Sequence, residues 1–341
     1  MNSRAFAAAG VSIMALGVAT QSATAEELVV GTFGGNFSKA VAECHIAPFE
    51  AATGDTVAVQ EGNSSQLAAM VRATAGDSDF DVIYIDNSFA SQLAGEGLLE
   101  KLDRTALSSA PDLVDGVFGP DDLYVQFQWG ATAIAYNPDA FPTPPDSWAA
   151  VFDPANAGKI ALPDISGTAG VHFLLAAARL NGGDIDNLDP GFEAVKAITP
   201  GVVAYYTQAD QIISMFERGE ITLAPWYPDR AAAAADAGLN IAVAYPKEVA
   251  IGIQVTAIIP KGAENPAAAL KYIDTMLSVQ GQTCLAEKMY SGPVNKVVTL
   301  PEKVERAIPS SEFGKLYFPD PATVAANVAD WRQRWQREIS R

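Results

Sequence analysis

An α/β fold built as two lobes is what this sequence predicts, and three observations carry it. Short apolar strands alternate with helical stretches along most of the chain, the pattern of parallel sheets covered by helices. A long β-rich run, QFQWGATAIAYNP at 126–138, divides the chain unevenly and ends in the turn signal Asn137-Pro138. Residues 26–341 are enough to bury two separate cores.

The first 25 residues stand apart from that body. One charge, Arg4, precedes an apolar run over 5–19, and Ala23-Thr24-Ala25 fits an A-x-A cleavage site. The apolar run is shorter than the roughly 20 residues that cross a bilayer. The segment therefore reads as a secretory signal peptide, 1–25, cut after Ala25 to release a soluble, exported chain.

In order, Leu28-Val29-Val30 is a strand, and Gly31-Thr32-Phe33-Gly34-Gly35-Asn36 leads into a helix through residue 49. The glycines permit a sharp turn and expose helix N–H groups, so Phe33, Gly34 and Gly35 form either a plain strand-to-helix turn or a cradle for a ligand oxygen. The spacing is not G-x-G-x-x-G. Strand 57–59 follows, then a helix around 67–73 capped by Ser64 or Ser65. Strand 79–85 ends at Asp86-Asn87-Ser88, and open α/β sheets bind ligands beyond the carboxyl ends of their strands. Those three residues are candidates by position.

Beyond the central run, Thr143-Pro144-Pro145-Asp146-Ser147-Trp148 enters a short helix and 158–163 is a strand. Ser166-Gly167-Thr168 precedes a helix at 171–180, where hydroxyls serve equally as caps or as ligand contacts. After a helix at 208–218, strand 222–227 ends in Trp226 and Tyr227, with Arg230 just beyond; an aromatic wall beside a cation is expected, led by Trp226. Strands follow at 241–245 and 249–259, the latter returning to the first lobe and carrying Gln254. A helix spans 267–277, and the turn at 289–295 directs Tyr290 towards the cleft. The terminal WRQRWQR, with Trp331 and Trp335 one turn apart, reads as an amphipathic helix packed on the body.

The formal charge is −18, and no basic patch is visible, so nucleic acid is disfavoured as a partner. Cys44 and Cys284 are the two cysteines; an exported chain allows them to pair, and two separate buried thiols are the alternative. His45 and His172 lie far apart without a motif. No H-E-x-x-H, C-x-x-C, Walker loop or G-x-S-x-G is present, and no cofactor or metal site is expected.

Several segments in order resemble the polyamine-type periplasmic solute-binding proteins of ABC importers. They are WGATAI from Trp129, SWAAVFDP from Ser147, FERGEI from Phe216, YPKE from Tyr245, AAALKYI from Ala267 and YSGPVN from Tyr290. The resemblance spans nearly the whole mature chain and implies two discontinuous α/β lobes joined by crossing strands. The expected lobes are 26–132 with 252–302, and 133–251 with 303–341, closing on a ligand by hinge motion. It further implies a monomer in the periplasm that hands a small molecule to a permease complex in the inner membrane.

Carried over by position, Asp86, Asn87 and Ser88 match first-lobe contacts and Trp226 matches a stacking tryptophan. Two departures stand out. Ser166, Gly167 and Thr168 occupy places where the family's polyamine receptors carry acids. Ile253 and Val255 replace an aromatic and an aspartate on the returning strand. With Arg230 nearby, a ligand bearing a carboxylate or phosphonate, with or without an amine, is favoured over spermidine or putrescine. A secreted enzyme on the same scaffold is the alternative of another class, which the missing nucleophile–base pair argues against.

Overall fold

The computed structural model describes residues 26–74, 76–208 and 211–340. The expected signal peptide lies outside them. Among the described residues, ten strands join in one sheet. They are β1 (Glu27–Thr32), β2 (Thr56–Glu61), β3 (Val82–Asp86), β4 (Val125–Tyr136), β5 (Ile160–Pro163), β6 (Val202–Tyr206), β7 (Leu223–Trp226), β8 (Ala242–Ala244), β9 (Ile251–Ile258) and β10 (Gly292–Pro293). The order is β2-β1-β3-β9-β4-β7-β5-β6, with β8 and β10 also on β4.

The sheet is two sheets sharing one strand. From Val125 to Thr132, β4 runs antiparallel to β9; from Ala133 onward it pairs with β7 and β8. The change of partner falls between Thr132 and Ala133, inside the WGATAI segment. β9 supplies the second crossing, because Ile251 sits in the core of the second lobe while Val255 and Ala257 sit in that of the first. The molecule therefore has the two-lobed α/β architecture expected from its sequence.

Strand periodicity builds the cores. Along β3, Val82 and Tyr84 join one buried cluster while Ile83 and Ile85 join the cluster on the opposite face. Both faces are covered by helices, which explains why the strand reads as a continuous apolar run. The second lobe repeats the plan: Leu162, Phe173 and Phe192 fill one side, and Ile212, Phe216 and Trp226 the other.

The C-terminal tail is divided between the lobes rather than lying wholly on the second. Val304 and Ile308 are buried in the first-lobe core, whereas Trp335 and Ile339 complete that of the second. Between them, the helix Pro321–Glu338 packs along the first-lobe helix Asn87–Gly95. Apolar side chains at the two ends of the tail find different cores.

Cys44 and Cys284 form a disulfide between the π-helical segment Ala42–Ile46 and the helix Val279–Met289, both in the first lobe.

One close approach fixes the start of the helix Thr168–Leu180. A Cβ at Gly170 would lie 2.1 Å from the carbonyl oxygen of Asp164, a backbone atom that cannot swing aside. Gly170→Ala is therefore expected to shift the 164–168 turn and destabilise by roughly 1–3 kcal/mol. Thermal melts of the two proteins check this, and an unchanged melting temperature would contradict it.

Candidate functional site

The lobes enclose a cleft of two chambers that meet at Asp86, Thr168 and Ile253. The first has a volume of about 630 Å³. Phe33, Gly34 and Gly35 line it from the first lobe, together with Trp129 and Tyr290. Tyr227, Asp229 and Arg230 face them from the second lobe. The second chamber, about 690 Å³, is lined by Asn87, Ser88 and Gln254 on one side and by Ser166, Gly167 and Thr168 on the other. Segments 318–332 close its far end.

Asp86 occupies the junction because β3 ends there and the helix Asn87–Gly95 begins. It is the N-cap of that helix, in extended backbone, and its N–H donates to Ser64 Oγ at 3.1 Å. Burial holds its carboxyl above the usual carboxylate range, and the Ser64 hydroxyl only partly offsets this. The Tyr227 hydroxyl is pushed upward too, first by burial and then by the negative charges of Asp86 and Asp229, with Arg230 acting the other way. The junction is thus electronegative, and Arg230 is the cation beside it.

Hydrogen bonds set the remaining polar groups. Asn87 Nδ2 donates to Gln254 Oε1 at 2.5 Å, and Gln254 Nε2 donates to Gln126 Oε1 at 3.0 Å. Asn87 Oδ1 and Gln128 Oε1 are buried without a hydrogen-bond partner, on residues that line the second and the first chamber respectively. Unmade hydrogen bonds on buried acceptors are costly to the fold. Tyr227 Oη accepts from the Ala169 N–H at 3.1 Å, tying the β7 end to the 168–180 helix.

Across the outer edge of the first chamber the lobes are clasped together. Tyr290, in left-handed backbone (φ 51°) after its helix, donates its hydroxyl to Asp236 of the helix Pro228–Asp236. Lys303 pairs with the same carboxylate and lies 5.3 Å from the Tyr290 ring centroid. Tyr290→Phe keeps the ring and removes the bond, a net contribution of about 1 kcal/mol. Roughly fivefold weaker solute affinity is expected in a fluorescence titration. Unchanged affinity would show that the clasp does not favour the closed arrangement.

Trp226 is a correction. It is fully buried among Ile212, Phe216 and Ala231 and lines neither chamber. On β7 it shares a buried face with Ala224, and Tyr227, just beyond the end of the strand, reaches the cleft. The other predicted residues line one chamber or both.

Trp129, His172 and Arg332 are among the lining residues that sequence reasoning missed. Trp129 lies inside the quoted WGATAI segment and donates its Nε1–H to Pro293 O at 3.1 Å. His172, one turn beyond Thr168, shares a 3.0 Å hydrogen bond with Thr132 Oγ1 at the crossing, and burial lowers its pKa to about 3. Arg332 donates to the carbonyls of Ile165 and Ser166. Its place in the basic WRQR run was the available signal. Among the described residues no group of three His, Cys, Asp or Glu side chains is placed to hold a metal ion.

Comparison with known proteins gives these features a context. The family described as bacterial extracellular solute-binding protein matches residues 45–309. The spermidine/putrescine-binding periplasmic protein of Escherichia coli K12 is 27% identical over 291 residues, 82% of this chain and 78% of that protein. A γ-aminobutyric acid-binding protein of Pseudomonas aeruginosa is 26% identical over 310 residues, 86% of this chain and 84% of that one. In structure, an ABC transporter protein of Clostridium perfringens superposes with a TM-score of 0.81 at 26% identity, covering 92% of this chain and 99% of that one. With a family match over most of its length and a cleft between two lobes that share crossing strands, the chain belongs to the bacterial extracellular solute-binding proteins, the substrate-binding components of ABC transporters.

Proposed function

We propose that the protein captures a zwitterionic, amino-acid-like solute in the periplasm and delivers it to an inner-membrane ABC permease. The observation that carries this is the pairing of opposite charges on the first chamber, with Asp86 at its inner end and the Asp229–Arg230 pair on the second-lobe wall. A buried, desolvated carboxylate is strongly stabilised by an ammonium, and a guanidinium suits a carboxylate bidentately. Ile253 and Val255 offer no charge to a second ammonium and the other acid of the chamber, Asp229, is paired with Arg230, which disfavours a polyamine despite that substrate's place in several relatives' names. The γ-aminobutyric acid-binding relative supports a ligand with one end of each charge.

The mechanism is closure rather than chemistry. The lobes are 26–132 with 252 to about 308 and 133–251 with the end of the C-terminal helix, and they turn about Thr132–Ala133 and Ile251. Trp129, Tyr227 and Tyr290 form the walls. The working unit is a monomer without cofactor, released from its signal peptide after Ala25.

A thermal-shift panel of polyamines, amino acids, organic acids and phosphonates tests the reading. A hundredfold excess over Kd stabilises by about 2.7 kcal/mol, well within detection. ω-Amino acids are expected to raise the melting temperature most. A shift by polyamines alone would overturn the proposal.

A further inference from the structure

Opposite charges account for only part of the first chamber. Its charged lining residues are Asp86, Asp229 and Arg230, and all three act on the hydroxyl of Tyr227, so the charge gathers around that one residue. Much of the remaining lining is apolar and comes from the first lobe: Phe33, Phe37, Trp129, Ile253, Val255 and Met289. Ile253 and Val255 stand two residues apart on β9 and so share a face. Opposite Ile253 in the ladder is Gly130, which also lines the chamber and has no side chain to cover its partner. Nothing in the packing demands that glycine. Its backbone is not left-handed, and the nearest atom across the ladder from a Cβ built there, Ile253 Cβ, lies 3.8 Å away, an ordinary contact. Glycine weakens a strand interior and often marks a place where a ligand comes close.

A straight-chain amino acid held by its two charged ends leaves this apolar floor facing water, in a chamber of about 630 Å³. Covering apolar surface is favourable in proportion to the area removed from water. Resting on the amino-acid reading above, we infer that the preferred solute carries a bulky hydrocarbon branch on the carbon chain between its charged groups, and that this branch lies over Gly130 against Ile253 and Val255. Phe33 and Trp129 bound the same chamber, and their rings suit an aromatic branch. The ammonium stays with Asp86 and the carboxylate with Arg230, so the branch adds affinity without changing how the ends are recognised.

Titration calorimetry on the mature protein with 4-aminobutyrate and 4-amino-3-phenylbutyrate decides the matter. The phenyl-bearing probe is expected to bind at least tenfold more tightly, because burying an aromatic ring is worth more than one factor of ten in affinity. Gly130→Val, which sets a branched side chain over Ile253, is expected to abolish that advantage. Ile253→Thr, which puts a hydroxyl into the apolar floor, is expected to reduce it and gives a second reading if the valine variant does not fold. Equal or weaker binding of the phenyl-bearing probe overturns the inference and leaves the amino-acid reading standing, as does an advantage that survives both substitutions. Binding of neither probe overturns both.

Discussion

Asp86→Asn lowers solute affinity by roughly a hundredfold while making the empty protein more stable at neutral pH. The affinity term follows from removing one partner of a buried charge pair, about 3 kcal/mol, with 1.4 kcal/mol per tenfold. The stability term has the opposite sign because burial raises the carboxyl's pKa in the folded state. Between the ordinary carboxylate value and that raised value the native protein holds a proton that the unfolded chain has lost. Stability from this group therefore falls as pH rises through the window and stays reduced above it. D86N removes the deficit, so the two empty proteins should converge below about pH 4. Calorimetry and pH-dependent melts measure both terms. A variant that binds normally, or is destabilised when empty at pH 7, would show that Asp86 is not the ammonium site.

Replacing both Cys44 and Cys284 by serine gives the largest expected change in stability. The bridge spans a sequence separation of 240 residues, and a loop of that size corresponds to about 5 kcal/mol in the chain-entropy model. With roughly 2–4 °C per kcal/mol for chains of this order, the melting temperature should fall by about 10 °C or more. The effect reaches the site as well, because the bridged helix Val279–Met289 ends at Tyr290. Weaker solute binding is expected alongside the lower melt. A melt within 2 °C of wild type would mean that the reduced chain keeps most of its constraint by packing.

Much of this site was legible in the sequence because loops at strand ends carry it. Asp86, Asn87 and Ser88 follow a strand that any reading of VIYI finds, and β3 directs them to the cleft. The 33–35 and 166–168 turns were found the same way, as small residues between a strand and a helix. Trp226 shows where that logic stops. Strand alternation does not show where a strand ends: β7 stops at Trp226, still inside the core, and Tyr227 just beyond it reaches the cleft. The tail was misread for a related reason. Val304 and Trp335 are equally apolar in sequence, and only the fold shows that they belong to different lobes. Arg332 and His172 were missed because their partners lie far away in the chain: Thr132 at the crossing for His172, and the Ile165 and Ser166 carbonyls for Arg332.

The pairing of a carboxylate with a guanidinium across one chamber is the central claim, and a matched pair of ligands tests it most directly. 4-Aminobutyrate and putrescine share an ammonium on a short methylene chain and differ at the other end, a carboxylate in one and a second ammonium in the other. Titration calorimetry at one pH and salt concentration should show 4-aminobutyrate binding at least tenfold more tightly, with that preference lost in Arg230→Gln. Putrescine binding equally well or better would contradict the account and make the cleft a site for polyamines.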